Sequence, residues 1–234
     1  MGYSNDPSAH VLGRPWLVFD IETVPLSDVA EYLTEPVEAP ANYKDPLKIA
    51  SYIAEATQRQ IEKAALDLDL CEIAAIGIGL PLAAYAQTRG TTPEEDMLRG
   101  FWRFVQNIQH DGGILVGFNC LTFDLLILLR RSLYLGIETP VISVDKYRHE
   151  GVVDLADMLT FGGRMTWRSL AFYCRRFGIP YDDTVDGAEV PGLVQAGRWA
   201  DVEAHVRADV AATTALAARI GLIYVPTTEP AEVV

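Results

Sequence analysis

The sequence predicts an α/β domain in which one mixed sheet is covered by helices on both faces. Three observations carry this. Apolar runs of strand length recur at WLVFDIE (Trp16–Glu22), EIAAIGIGL (Glu72–Leu80) and ILVGFN (Ile114–Asn119). Segments with apolar residues at threes and fours, the helical period, stand between and after them. The resulting order is a strand, a helix, two strands, a helix, a strand and then helices. The chain has 234 residues, 50% apolar and 22% charged, which suits one large globular domain and excludes a disordered chain.

The elements follow in order. Residues 1–15 read as a flexible leader, 16–222 as the domain and 223–234 as a polar C-terminal tail. The leader, MGYSNDPSAH, lacks the apolar core of a signal peptide, and Asp6 stands where a myristoylation signal needs Ser or Thr. Trp16–Glu22 is a buried strand ending in acids. Residues 25–45, rich in Pro and acids, form a loop. From Pro46 to Leu68 the apolar spacing is helical. Glu72–Leu80 is a second strand, and after Pro81 the segment LAAYAQ is a third. Pro93 followed by Glu94, Glu95 and Asp96 starts a helix with its acids at the favourable end. Ile114–Asn119 is the fourth strand. Phe123–Leu135 shows no polar face until Arg130 and reads as a largely buried helix closed by Gly136. VVDLADML (Val152–Leu159) opens the C-terminal half. Thr166 is placed to cap a helix over Trp167–Phe177, and residues 199–220 form the last long helix.

Charge narrows the function classes. Acidic residues number 32 against 19 basic ones, for a formal charge of −13 and a pI near 4.7. Gripping long duplex DNA by charge alone is therefore excluded, although a local basic surface is compatible. Cys71, Cys120 and Cys174 are far apart and odd in number, which argues against a disulfide framework and for a reduced, cytoplasmic setting. The longest apolar stretch, Ala74–Ala86, is about half of a membrane span and is broken by Gly and Pro, so no membrane partner is expected.

The chemistry lies in the acids. Asp20 and Glu22, at i and i+2 of a strand, share one face at the end of an apolar run. Like charges there repel and are costly to desolvate, and a divalent cation relieves both. Read alone, the pair is equally two exposed strand-end acids. Asp124 begins an apolar helix directly after a buried strand that ends at Asn119, an edge where functional groups of α/β sheets gather. His205 and Asp209 lie four residues apart on one face of the last helix. Together Asp20, Glu22, Asp124 and Asp209 form a hard-oxygen set suited to Mg²⁺ or Mn²⁺. Four carboxylates can hold two such ions about 4 Å apart and clamp an in-line phosphoryl displacement.

The ordered set FDIET, N-x3-F-D (Asn119, Phe123, Asp124) and a helical histidine four residues before an acid resembles the DEDD 3′–5′ exonucleases. Within them the chain is similar to the predicted exonucleases related to the proofreading domain of family-B DNA polymerases. The likeness runs from about Trp16 to Ile220 and includes KDPLKIASYI, VVDLADML and WRSLAFYCRRFGIPYDD. It implies an RNase H-like fold with a five-stranded mixed sheet flanked by helices. It implies a two-metal-ion exonuclease that releases nucleoside 5′-monophosphates from the 3′ end of single-stranded DNA or RNA, DNA being the first expectation. A replication or repair protein partner is implied with it. By position, Asp20, Glu22, Asp124 and Asp209 would ligate two Mg²⁺ or Mn²⁺ ions. Asn119 and Phe123 would shape the pocket for the 3′ end, and Asp154 would be a supporting acid. The family branches carry Tyr-x3-Asp or His-x4-Asp. This chain has His205-x3-Asp209, a histidine at the tyrosine position, where it would orient or deprotonate the attacking water.

A strand-binding surface is expected within residues 126–180. Eight basic residues there (Arg130, Arg131, Lys146, Arg148, Arg164, Arg168, Arg175, Arg176) face five acidic ones, with Trp167 and Tyr173 available for stacking. Gly77-Ile-Gly79 lacks the third glycine of a dinucleotide site, and there is no phosphate-binding loop, zinc-protease helix or G-x-S-x-G elbow. The alternative to an enzyme is the same fold used as a nucleic-acid-binding or interaction subunit with weakened chemistry.

Overall fold

A computed structural model describes residues 13–33, 36–145, 149–183 and 185–226. Most of the leader, the end of the tail, and Lys146 and Arg148 lie outside the described residues.

The sheet is built around β1 (Trp16–Pro25). On one side it pairs antiparallel with β2 (Cys71–Leu80), which pairs antiparallel with β3 (Ala83–Thr88). On the other it pairs parallel with β4 (Ile114–Gly117), which pairs parallel with the three-residue β5 (Val152–Asp154). The order is β3-β2-β1-β4-β5. A strand buried on both faces needs a continuous apolar run, and Trp16–Phe19 is at most 3% exposed.

Among the described residues, seven α-helices accompany the sheet: α1 (Pro46–Ala64), α2 (Glu94–His110), α3 (Asp124–Tyr134), α4 (Leu155–Leu159), α5 (Leu170–Phe177), α6 (Val190–Gln195) and α7 (Trp199–Arg219). The alternation of β1 divides the core. Leu17, Phe19 and Ile21 pack with Met97, Phe101 and Trp102 of α2 and with Leu125 and Leu128 of α3. Trp16 and Val18 pack on the other face with Leu170 and Cys174 of α5 and Val210 and Leu216 of α7. All three cysteines are free and buried. Burial pushes the Cys71 thiol up to about 12 and Cys174 up to about 11, so neither is a reactive thiolate.

Two glycines set how closely α7 approaches. A Cβ at Gly77 would lie 2.7 Å from Val210 Cγ2 and 2.9 Å from Val206 Cγ2, and one at Gly79 would lie 3.0 Å from Val210 Cγ1. The G-x-G of β2 is thus a helix-packing device. Gly77 is the register partner of Asp20, so α7 crosses the sheet beside the acids of β1.

Several boundaries differ from expectation. α1 stops at Ala64, and the Thr23 hydroxyl donates to the Ala65 carbonyl at 2.6 Å, fastening the helix end to β1. Thr166 is not a cap. Ser169 accepts from the Phe172 N–H at 3.3 Å and α5 begins at Leu170, leaving Trp167 and Arg168 on the segment before the helix. β4 ends at Gly117 rather than Asn119, and α6 was not expected.

Glu94 and Arg131 are also more than helix-end and surface charges. They form a buried bidentate pair at 2.8 and 2.7 Å, and Glu94 Oε1 also accepts from the Ile73 N–H at 2.9 Å. Glu94→Ala leaves a buried guanidinium without its partner, at a cost of about 3–5 kcal/mol. Urea unfolding should show a midpoint lowered accordingly. A midpoint within error of wild type would contradict this reading.

Among the described residues, no helix is long and apolar enough to cross a membrane.

Candidate active site

The even-numbered positions of β1 that bury Trp16 and Val18 continue into Asp20 and Glu22, so both acids emerge on the α7 side. Glu22 is buried, at 7% exposure. From α7, His205 and Asp209 come to the same place, one turn apart. Glu22, His205 and Asp209 each present a ligand atom within 4.8 Å of the others.

Asp124 arrives from the opposite side, at the first turn of α3. It is buried, and its Oδ1 accepts from the Ile21 N–H at 3.2 Å, which ties it to β1 between Asp20 and Glu22. Its position depends on Asp154. That carboxylate accepts from the Asn119 N–H at 2.8 Å, the Leu121 N–H at 3.0 Å, and the Ala156 and Asp157 N–H groups at 2.9 and 3.3 Å. Asp154 therefore caps α4 and holds the β4–α3 loop, supporting the site through the loop. Asn119 sits in this loop with a φ of 62°, and its Oδ1 accepts from the Thr122 hydroxyl at 2.6 Å.

Two residues not singled out in the sequence complete the cluster. Asp183 and Tyr181 lie on the segment after α5, which Gly178 terminates in the left-handed region. Asp183 Oδ2 is 2.5 Å from His205 Nδ1, while His205 Nε2 is 3.2 Å from Glu22 Oε1. The Tyr181 hydroxyl donates toward Asp209 Oδ1 at 2.5 Å and also lies 3.0 Å from Asp183 Oδ2. In the sequence these residues sit in YDDTVDGAE, an acidic stretch with the look of a solvated loop.

The electrostatics follow from burial. Desolvation, then the charges of Asp124, Asp209, Glu22 and Asp183, pushes the Asp20 carboxyl well above its ordinary range. Desolvation and the neighbouring acids do the same to Glu22. Asp124 is pushed up to about 7, mainly by burial and against its backbone hydrogen bonds. Asp209 is also raised by burial, although Tyr181 and His205 oppose the shift. A set of carboxylates that resists ionising together fits hard divalent cations, whose charge removes the repulsion.

These groups line a cleft of about 620 Å³ together with Phe118, Asn119, Phe123 and Trp167. Trp167 is 53% exposed, and its ring is 6.3 Å from that of Phe118. Arg168 does not line the cleft. It is exposed beside it, with its guanidinium 5.4 Å from the Phe172 ring centre. The expected basic surface is smaller than the residue count. Arg131 belongs to Glu94 in the core, and Arg130 pairs with Asp69 at 2.9 Å. Arg164, Arg168, Arg175 and Arg176 remain exposed. Tyr173 is half-buried against Phe118 and Phe172 rather than free to stack.

Residues 82–226 match the family model DNA_pol_B_exo2, described as a predicted 3′–5′ exonuclease related to the exonuclease domain of PolB. The chain belongs to this family. The matched segment carries Asp124, His205 and Asp209, and the fold adds Asp20 and Glu22 from outside it. Among solved structures, the family B DNA polymerase of the hyperthermophilic archaeon Pyrobaculum calidifontis is similar, with a TM-score of 0.59 and 19% identity over 88% of this chain. That likeness supports the fold: an α/β, RNase H-like, five-stranded mixed sheet. The chain spans 24% of the polymerase's length. A comparison with curated proteins finds no match.

Proposed function

We propose that this DNA_pol_B_exo2 member is a metal-dependent 3′–5′ exonuclease that removes nucleoside 5′-monophosphates from single-stranded 3′ ends. The observation that carries the proposal is the convergence of Asp20, Glu22, Asp124 and Asp209 from β1, α3 and α7 on one cleft, with their pKa values raised together. These four residues would hold two Mg²⁺ or Mn²⁺ ions, which would activate the attacking water and neutralise charge on the leaving 3′ oxygen.

The remaining roles belong to the chain's own groups. His205 Nε2 faces Glu22 inside the cleft, where it can take a proton from the attacking water. Asn119 and Phe123 border the position of the terminal nucleotide. Trp167 and Phe118 give a base an aromatic surface at the mouth. Arg164, Arg168, Arg175 and Arg176 supply a local positive flank on a chain whose net charge is −13.

So small a basic surface contacts few phosphates. Single-stranded oligonucleotides should be degraded faster than blunt duplexes, and activity should fall only gently as salt rises. Rates on labelled single-stranded, blunt and closed circular substrates across a salt series test this. Cleavage of the closed circle, or a salt slope corresponding to ten or more phosphate contacts, would contradict it.

A further inference from the structure

A strand whose 3′ end enters the cleft leaves its upstream nucleotides outside, and the charge of the chain marks where they go. Residues 158–181 contain four arginines and no acid, in a chain with 32 acidic residues. Within this stretch α5 turns Leu170 and Cys174 into the core. The helical period puts Phe172, Arg175 and Arg176 on the opposite face, within one turn of each other, and all three are exposed. Arg168, just before the helix, holds its guanidinium 5.4 Å from the Phe172 ring centre, within cation–π reach. Among the described residues Arg168, Arg175 and Arg176 form no ion pair, whereas Arg130, Arg131, Arg198 and Arg207 each have an acid. An aromatic ridge connects this face to the cleft. Phe172 meets Tyr173 edge to face at 5.5 Å, Tyr173 is 6.1 Å from Phe118, and Phe118 is 6.3 Å from Trp167. Trp167 and Phe118 line the cleft, while Arg168 and Phe172 stand outside it.

We propose that Arg168 and Phe172 form a base-stacking position outside the cleft, and that the exposed face of α5 leads a single strand away from it, with Arg175 and Arg176 on the phosphates. This rests on the exonuclease reading, which puts the terminal nucleotide at Asn119 and Phe123 and the second base at Trp167 and Phe118. The third base from the 3′ end then stacks at Arg168 and Phe172. Every base has a π face, so the position accepts any sequence. A guanidinium packed on a ring offers a base a flat cationic surface and keeps its donors for phosphate oxygens. The run of arginines without acids fits a polyanion better than a protein surface of mixed charge. It also gives a chain of net charge −13 a defined place to hold one.

The test uses the full chain and 5′-labelled oligo(dT) and oligo(U) strands in which one nucleotide at a time is abasic. Removal of the 3′-terminal nucleotide in Mn²⁺ is followed at subsaturating protein. An abasic third nucleotide should slow the wild type by about 5–150-fold, the range for loss of one stacked base. In Phe172→Ala the same lesion should cost less than about threefold, because its partner is already gone. Phe172→Leu keeps an apolar contact with Tyr173 but offers no ring. It should behave like the alanine variant, and it decides the matter should that variant fail to fold. Fluorescence anisotropy of the same strands in EDTA reads binding without turnover. There the Phe172 variants should bind about 5–150-fold more weakly than wild type. Arg175→Gln combined with Arg176→Gln should flatten the log–log salt dependence by about 1–2. A penalty on either sugar supports the position and identifies the strand it serves. No penalty at the third nucleotide, or one that persists in both Phe172 variants, would overturn the proposal. So would self-association lost in Phe172→Ala with oligonucleotide binding unchanged, which would make this face a protein interface. A wild type that binds in the expected pattern but releases no nucleotide fails the exonuclease reading alone. One that degrades strands without a Phe172-dependent penalty fails the stacking position alone.

Discussion

Asp209→Asn and Asp20→Asn should each abolish detectable turnover while leaving the fold intact and raising the melting temperature of the metal-free protein. On the proposed reading, turnover is lost because each change removes an anionic ligand from a site that would hold two divalent cations. Stability rises because Asp20 and Asp209, partly buried, lose hydration beside other acids, which lifts both carboxyls above their ordinary range. The pH dependence has a definite sign. Asp20, Glu22, Asp124 and Asp209 all bind protons more tightly in the folded state than in the unfolded one. Their favourable contribution is complete below about pH 4, the unfolded carboxylate range. It is lost as pH rises through the folded values, which for Asp124 means about 7. The metal-free wild type should therefore melt higher at pH 5 than at pH 8, and the gain from Asn should be larger at pH 8. Calorimetric scans in EDTA at the two pH values measure this. An Asn variant that melts lower than wild type at pH 8, or that keeps wild-type turnover, would contradict the account.

His205→Ala should lower the rate by about 10²–10⁴-fold, the range for loss of a general base. Its side chain is 95% removed from solvent between Glu22 and Asp183, so it acts inside the cleft and not at its rim. His205→Tyr places a phenol where the polymerase-like family branch carries one, and it should recover part of the rate. Tyrosine, with a reference pKa near 10, orients water as a neutral hydroxyl. Imidazole, near 6.5 in its reference state, can take the proton itself. Single-turnover rates of the three proteins at saturating Mn²⁺ measure both effects. Equal rates for all three would make His205 a bystander.

What was legible in the sequence depended on how far each signal reaches along the chain. The strands of the sheet core were visible because burial on both faces demands an unbroken apolar run, as in Leu17-Val18-Phe19. Asp20, Glu22 and Asp124 stood out because each ends such a run or begins a helix beside one, and Asp209 because it shares a helical face with His205. Thr166 and Ser169 compete as caps in T-W-R-S, and local chemistry cannot rank them. The choice fell to Ser169 because α5 starts where Leu170 enters the core. Arg131 looked like one of several surface cations, and only the packing of α3 against α2 gives it Glu94. Asp183 was not legible. Beside Asp182 and Asp186 it has no distinguishing neighbour in sequence, and it joins the cluster only through a contact 22 residues away on α7. The three residues of β5 were too short to show a period, although Asp154 at their end anchors the loop that delivers Asp124.

The central claim is that this cleft hydrolyses nucleic acid from the 3′ end by divalent-cation chemistry. A 5′-labelled single-stranded oligonucleotide incubated with the protein and Mn²⁺, with and without excess EDTA, tests it most directly. The account predicts a ladder that shortens one nucleotide at a time from the 3′ end, nucleoside 5′-monophosphates as the released product, and no products in EDTA. Turnover that persists in EDTA, or internal cuts in place of a ladder, would contradict it.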